Sequence, residues 1–221
     1  MNNKSQTLIY IHDPMCSWCW GFRPVWQQVQ RAVAGKLDVR YVLGGLAADT
    51  DEPMPEQMRL NIIDNWRRIQ REIPGTEFNY DFWTECSPRR STYPACRAII
   101  ACRMQQPALE NDMLLLIQQA YYLMARNPSE NEVLISLASD IGLDVEKFSR
   151  DLNSEACKKL LDDEILIARD LYIHSFPSLV LLQGMLSEPV SVEPIAIHYT
   201  DHIIIFDQIK AKLATFSEKM N

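Results

Sequence analysis

Two cysteines spaced as Cys16-Ser17-Trp18-Cys19 are the residues of this chain best suited to chemistry. Disulfide exchange needs a thiolate nucleophile, a second thiol to resolve the mixed disulfide, and access for the partner. Two cysteines separated by two residues at a helix N-terminus meet the first two needs. Unpaired amides and the positive end of the helix dipole favour negative charge on the first sulfur. The second lies one turn further in, beside the first and shielded by it. Met15, Trp18 and Trp20 add apolar surface around the pair. On this reading Cys16 is the nucleophile and Cys19 the resolving thiol.

A zinc site would need four Cys or His ligands, usually in two close pairs. The chain has no second CxxC, and His12 finds no obvious fourth ligand, so no metal or organic cofactor is expected. Cys86, Cys96, Cys102 and Cys157 are irregularly spaced and read as small apolar core residues. His12 and Asp13 immediately precede the pair and are candidates for tuning it, Asp13 through proton transfer and His12 through charge. Their plainer readings are an Asx-type turn before Pro14 and a packed strand histidine.

Several elements must position these residues. Residues 8–11 form a short β-branched and aromatic run, stopped by Asp13-Pro14. Over 17–34 the apolar Trp18, Phe22, Val25, Trp26 and Val29 recur at helical spacing, and 37–43 alternates before Gly44-Gly45. This is a βαβ unit with the CxxC at its helix start, the setting in which a single CxxC points to redox work. Helical periodicity then dominates at 58–73, 94–104, 109–126, 130–141 and 155–172, with an aromatic-rich loop over 75–88. Ser91-Thr92 before Pro94 reads as a hydroxyl-capped helix start. Strand character returns at 178–182 and at 190–197, where Pro194 implies an edge strand, and 201–216 closes as an amphipathic helix. The expected fold is α/β, a thioredoxin-like core (1–52 and 158–221) split by a helical insertion (53–157).

Composition narrows the partners. A net charge of −7 over 221 residues argues against a nucleic-acid binder. Arg67, Arg68 and Arg71 read as a solvated helix face. No run reaches the ~18 apolar residues of a membrane span, so no membrane partner is expected. The polar stretch 1–7 lacks the pattern of a secretory signal, which suits the cytoplasm. Trp18, Trp20, Phe22 and Phe176 suit either a groove for extended polypeptide or the core. Of these, Trp18 is expected to stay partly exposed and Trp20 and Phe22 to be buried. Gly44-Gly45 allows a close backbone approach or simply a turn.

The segment Asp13-Pro14-Met15-Cys16-Ser17-Trp18-Cys19-Trp20-Gly21-Phe22 resembles the active-site segment of DsbA-like thiol–disulfide oxidoreductases, in particular the cytosolic FrnE-like branch. Pro24, Tyr93-Pro94-Ala95-Cys96-Arg97-Ala98 and Ser175-Phe176-Pro177-Ser178-Leu179-Val180 are similar to further features of that family, over most of the chain. Ser17 stands where many relatives carry proline, and Tyr172 and Ser175 where they often carry glycine. The resemblance implies a cis peptide at Phe176-Pro177 facing Cys16, with Phe176, Pro177 and Trp18 meeting substrate. It also implies exchange with protein thiols and disulfides, as an oxidoreductase or isomerase, with glutathione as a candidate partner. Kappa-class glutathione transferases and 2-hydroxychromene-2-carboxylate isomerases share the fold but usually carry serine at the catalytic position. A chaperone-like peptide-binding module with an incidental CxxC is the rival from another class.

Overall fold

The computed structural model describes residues 6–218, so residues 1–5 of the polar N-terminal stretch lie outside the described residues. Strand β1 (Gln6–His12) leads through Asp13-Pro14 into helix α1 (Ser17–Val33), and β2 (Asp38–Leu43) follows. Seven helices come next: α2 (Glu56–Glu72), α3 (Phe82–Glu85), α4 (Tyr93–Gln105), α5 (Glu110–Tyr122), α6 (Asn131–Asp140), α7 (Val145–Leu152) and α8 (Glu155–Asp170). The chain returns through β3 (Ser178–Met185), β4 (Glu188–Ile195) and α9 (His202–Glu218).

The sheet order is β2-β1-β3-β4, with β1 parallel to β2 and antiparallel to β3. β4 lies at the edge, where Pro194 is tolerated. Alternation along β1 sorts its side chains onto two faces. Leu8 and Tyr10 pack with Phe22, Trp26 and Ile205 under α1 and α9. Ile9 and Ile11 pack with Val180, Leu182 and Ala168 under α8. The helical block has its own core around Trp66, Ile69, Ile99, Tyr122 and Phe148, all fully buried. This is an α/β thioredoxin fold interrupted by helices.

Several expectations need correcting. The loop expected over 75–88 contains the single turn α3, held by the packing of Phe82 and Trp83 on Trp66. α7 was not expected; Asp144 caps it through Lys147 N at 2.9 Å, and Phe148 and Leu152 are buried. No hydroxyl caps α4. The Thr92 hydroxyl donates instead to Asp13 Oδ2 at 2.6 Å, a contact spanning 79 residues.

Candidate functional site

Cys16 is the N-cap of α1, extended at φ −81° and ψ 115°. Its amide donates to Asp13 O at 3.1 Å, which closes the turn from β1 into the helix. First-turn amides lack intrahelical acceptors, and α1 has no acidic side chain there to oppose their positive field. The Cys16 sulfur is nearly buried, and its thiol lies 3.3 Å from Phe176 O. Phe176-Pro177 is a cis peptide, immediately before β3. The candidate nucleophile and the candidate substrate loop thus meet at one end of the sheet.

Cys19 lies fully buried behind Cys16, and both are free thiols. Burial pushes the Cys19 thiol well up, and its hydrogen bond with Cys16 and the charge there add to the effect; the Asp13 backbone opposes it. A thiol so placed stays protonated until a base takes its proton, as a resolving thiol should.

Asp13 has no exposed surface. Its Oδ1 accepts from Met15 N at 2.8 Å, and its Oδ2 from Leu46 N at 2.7 Å and from Thr92 Oγ1. The Cys96 thiol lies 3.6 Å from Oδ2. Burial raises the Asp13 carboxyl, against these hydrogen bonds, which lower it. Asp13 therefore makes the Asx turn and also ties the β2 exit and the start of α4 to the CxxC.

His12 stacks on Tyr10 with ring centroids 5.0 Å apart, and neither ring nitrogen has a partner. Burial, then the positive charges of Arg103 and Arg23, lower its pKa to about 3. Its ring is neutral at ordinary pH, so it offers no charge to a thiolate.

Trp18 is half-buried: its indole N–H donates to Asn65 Oδ1 at 3.1 Å, its ring lies 5.0 Å from Tyr199, and Arg68 sits over it at 4.9 Å. Arg68 also pairs with Glu72 at 2.9 Å, so this arginine of the expected solvated face also covers an aromatic beside the site. Phe22 is buried as expected, but Trp20 is only half-buried, donating to Glu77 O at 3.0 Å and stacking on Tyr122. Ser17 Oγ accepts from Trp66 Nε1 at 2.9 Å, which anchors the helix start to the helical block.

Sequence reasoning left Gly44 open between two roles, and the structure favours close approach. A Cβ there would stand 2.0 Å from Phe176 Cζ, so the Phe176 ring lies directly on the Gly44 backbone. Gly45 has φ +62° and faces Ile165, so it serves both turn and contact. Asn65 and Tyr199 were missed, coming from distant elements with no local signal, and Thr92 was read only as a helix cap. Cys86, Cys96, Cys102 and Cys157 all have thiols raised by burial, to about 11 for Cys102 and Cys157. Among the described residues, no group of three or more His, Cys, Asp or Glu is arranged to hold a metal. No helix among them is long and apolar enough to cross a membrane.

Comparison with known proteins agrees with this fold. A family model described as thioredoxin matches residues 9–194. The ClpXP adapter protein SpxH of Halalkalibacterium halodurans is 27% identical over 87% of this chain and 63% of its own length. SpxH of Bacillus subtilis is 24% identical, over 80% of this chain and 58% of that protein. The chain thus spans about three-fifths of the length of these curated relatives. Among solved structures, a Nitrosomonas europaea protein provisionally assigned as a protein disulfide isomerase superposes with TM-score 0.82 at 25% identity, covering 96% of this chain and 99% of that one. The cytosolic disulfide reductase DsbM of Pseudomonas aeruginosa superposes with TM-score 0.75 at 24% identity, covering 95% and 99%.

Proposed function

The chain belongs to the thioredoxin family, and on that footing we propose that it is a thiol–disulfide oxidoreductase or isomerase acting on protein cysteines. The observation that carries this reading is the Cys16 thiol at the N-cap of α1, 3.3 Å from Phe176 O, with Cys19 buried behind it. Cys16 attacks a substrate disulfide and is joined to one of its sulfurs. Cys19 then attacks Cys16, forms the Cys16–Cys19 disulfide and frees the substrate thiol. Phe176 offers backbone polar groups to an extended segment in the manner of strand addition, Pro177 leads into β3 beside it, and Trp18 contributes apolar surface. Asp13 positions the CxxC and His12 packs behind it without charge. The core is assigned to 1–52 and 158–221 and the helical insertion to 53–157.

Glutathione is a candidate partner because DsbM has been solved with it, and the cytoplasm is the proposed compartment because DsbM is described as cytosolic. Retaining both cysteines favours this chemistry over that of a kappa-class transferase or a 2-hydroxychromene-2-carboxylate isomerase.

A second reading is favoured by the SpxH relatives, described as ClpXP adapters: the fold would present a surface to a protein partner, with the dithiol incidental. Insulin reduction separates the two. Cys16→Ser is expected to abolish it, and Cys19→Ser to accumulate a mixed disulfide on non-reducing gels, because the covalent intermediate then awaits an outside thiol. Equal activity, or its equal absence, in wild type and Cys16→Ser would leave the adapter reading standing. An adduct trapped on Cys16→Ser instead would reverse the two roles.

A further inference from the structure

Resolution of the mixed disulfide raises a question that the front of the site leaves open: where the Cys19 proton goes. In the free dithiol the Cys16 sulfur is the neighbour that acts most strongly on the Cys19 thiol. Once Cys16 is joined to a substrate sulfur it carries no negative charge and cannot take that proton. Cys19 has no exposed surface through which water could reach it. Asp13 is the carboxylate whose charge acts on Cys19, but its oxygens already accept from Met15 N, Leu46 N and Thr92 Oγ1. The neighbouring His12 has its ring packed face to face against Tyr10.

Behind the thiol lies a cavity of about 270 Å³ between α1 and α5, lined by Cys19, Tyr10, Arg23, Tyr41, Asp112 and Gln118 among others. Arg23 bridges it to Gln118 at 3.0 Å, and Tyr41 takes hydrogen bonds from Trp26 and Gln30 at its edge. The volume and polar lining suit several waters. Tyr10 keeps 3% exposure and lines this cavity together with Cys19, whose sulfur helps to raise the phenol's pKa.

We propose that Tyr10 and this cavity form the proton exit for Cys19, so that Tyr10 is a catalytic relay in the resolving step. The inference rests on the dithiol reading above. As Cys19 loses its proton to Tyr10 Oη, the phenol passes its own proton to cavity water. The freed electron pair on the Cys19 sulfur forms the Cys16–Cys19 bond. The bond from Cys16 to the substrate sulfur breaks, its pair leaves on the substrate thiolate, and solvent protonates that thiolate. The two protein thiols are oxidised to a disulfide and the substrate disulfide is reduced to two thiols. Tyr10 relays without ionising: burial, the Cys19 and Cys16 sulfurs and Tyr41 hold its pKa well above the phenol range. The charged and titratable groups facing it are Cys16, Cys19 and Arg23 of α1, Tyr41 of β2, His12 of its own strand and Asp112 of α5 across the cavity.

The test uses stopped-flow reaction of the reduced full chain with dithiobis(nitrobenzoate), in a Cys86→Ser background that removes the partly exposed thiol. A first nitrothiobenzoate is released when Cys16 is modified, and a second when Cys19 resolves. Tyr10→Phe is expected to slow the second phase at least about tenfold near neutral pH, within the range of a lost proton-transfer group. The first phase stays unchanged, and the deficit narrows as pH rises. Leu115→Trp, which fills the cavity and keeps Tyr10, is expected to slow the same phase. An unchanged second phase in Tyr10→Phe, or equal slowing of both phases, overturns the proposal. If Tyr10→Phe does not fold, an unchanged second phase in Leu115→Trp overturns it. Loss of the second phase in Asp13→Asn with none in Tyr10→Phe would assign the proton to Asp13 instead. A wild type that releases no second equivalent would sink the dithiol reading itself, an outcome distinct from all of these.

Discussion

A glycine with no side chain to offer fixes the position of the aromatic beside the candidate nucleophile. Phe176 lies on the bare backbone of Gly44, and its carbonyl reaches to within 3.3 Å of the Cys16 thiol. A methyl group at Gly44 would sit 2.0 and 2.1 Å from two carbons of that ring, so the ring must move to admit it. Gly44→Ala is therefore expected to push the Phe176 segment away from Cys16 and to cost about 1–3 kcal/mol as an overpacking substitution. Insulin reduction should fall together with the thermal midpoint. A variant as active and as stable as the parent would mean that the Phe176 ring does not rest where this contact puts it. The CxxC and the Phe176-Pro177 pair were legible in the sequence because their signals are local. Asp13 was only half legible. The Asx turn to Met15 is local, whereas its bonds to Leu46 and Thr92 depend on two segments that only folding brings together.

At the scale of elements, β1 carries the groups that face the dithiol from behind, and its legibility was uneven in the same way. Its alternation was readable; the fate of its last residue was not. The His12 ring ends in a buried layer with Tyr10 and Tyr41, with no partner for either nitrogen. Its pKa of about 3 makes β1 a point of acid sensitivity. The folded value lies below the unfolded one of about 6.5, so the unfolded chain binds the proton first. Stability tied to His12 is present above the unfolded pKa and is lost as pH falls toward the folded one. Between pH 7 and pH 5 that loss is about 2 kcal/mol, at roughly 1.4 kcal/mol per unit below 6.5. His12→Phe keeps a stacking ring and removes the titration. Thermal unfolding at the two pH values should show the variant losing less stability than the parent, and an identical loss would refute the assignment. The helices divide along similar lines. The long amphipathic stretches of α2 and α8 declared themselves by period, to within a few residues at their ends, whereas α4 is buried all round over 94–102. α7 has only eight residues, yet its Asp144 cap and its Phe148–Leu152 stripe were signals within reach. α3 is one turn whose existence depends on Trp66, far along the chain from it.

Over the whole molecule, one carboxylate ties the helical block to the edge of the sheet. Leu43 ends β2, an edge strand whose outward amide has no strand to pair with. That amide donates to Glu164 Oε2 of α8 at 2.7 Å. The other Glu164 oxygen pairs with Arg103 of α4, which also reaches Glu110 of α5 at 3.1 Å. β2, α4, α5 and α8 are therefore linked through the Glu164–Arg103 pair, and Leu43, Arg103 and Glu164 lie far from one another in sequence. Glu164→Ala would strand both the Leu43 amide and the Arg103 guanidinium. Fully buried pairs cost about 3–5 kcal/mol when one partner is removed. The Glu164 and Arg103 side chains keep 11% and 28% exposure, so solvent screens part of that cost. A loss of about 2 kcal/mol is expected, below the fully buried range. It should appear as a lower urea midpoint at unchanged slope, with faster hydrogen exchange at the Leu43 amide. Because Gly44 follows Leu43 and carries the Phe176 ring, slower insulin reduction should accompany it at temperatures where the variant is still folded. Unchanged exchange at Leu43, with stability within half a kcal/mol of the parent, would mean that water replaces Glu164 without penalty and that the block is held to the sheet by apolar packing alone.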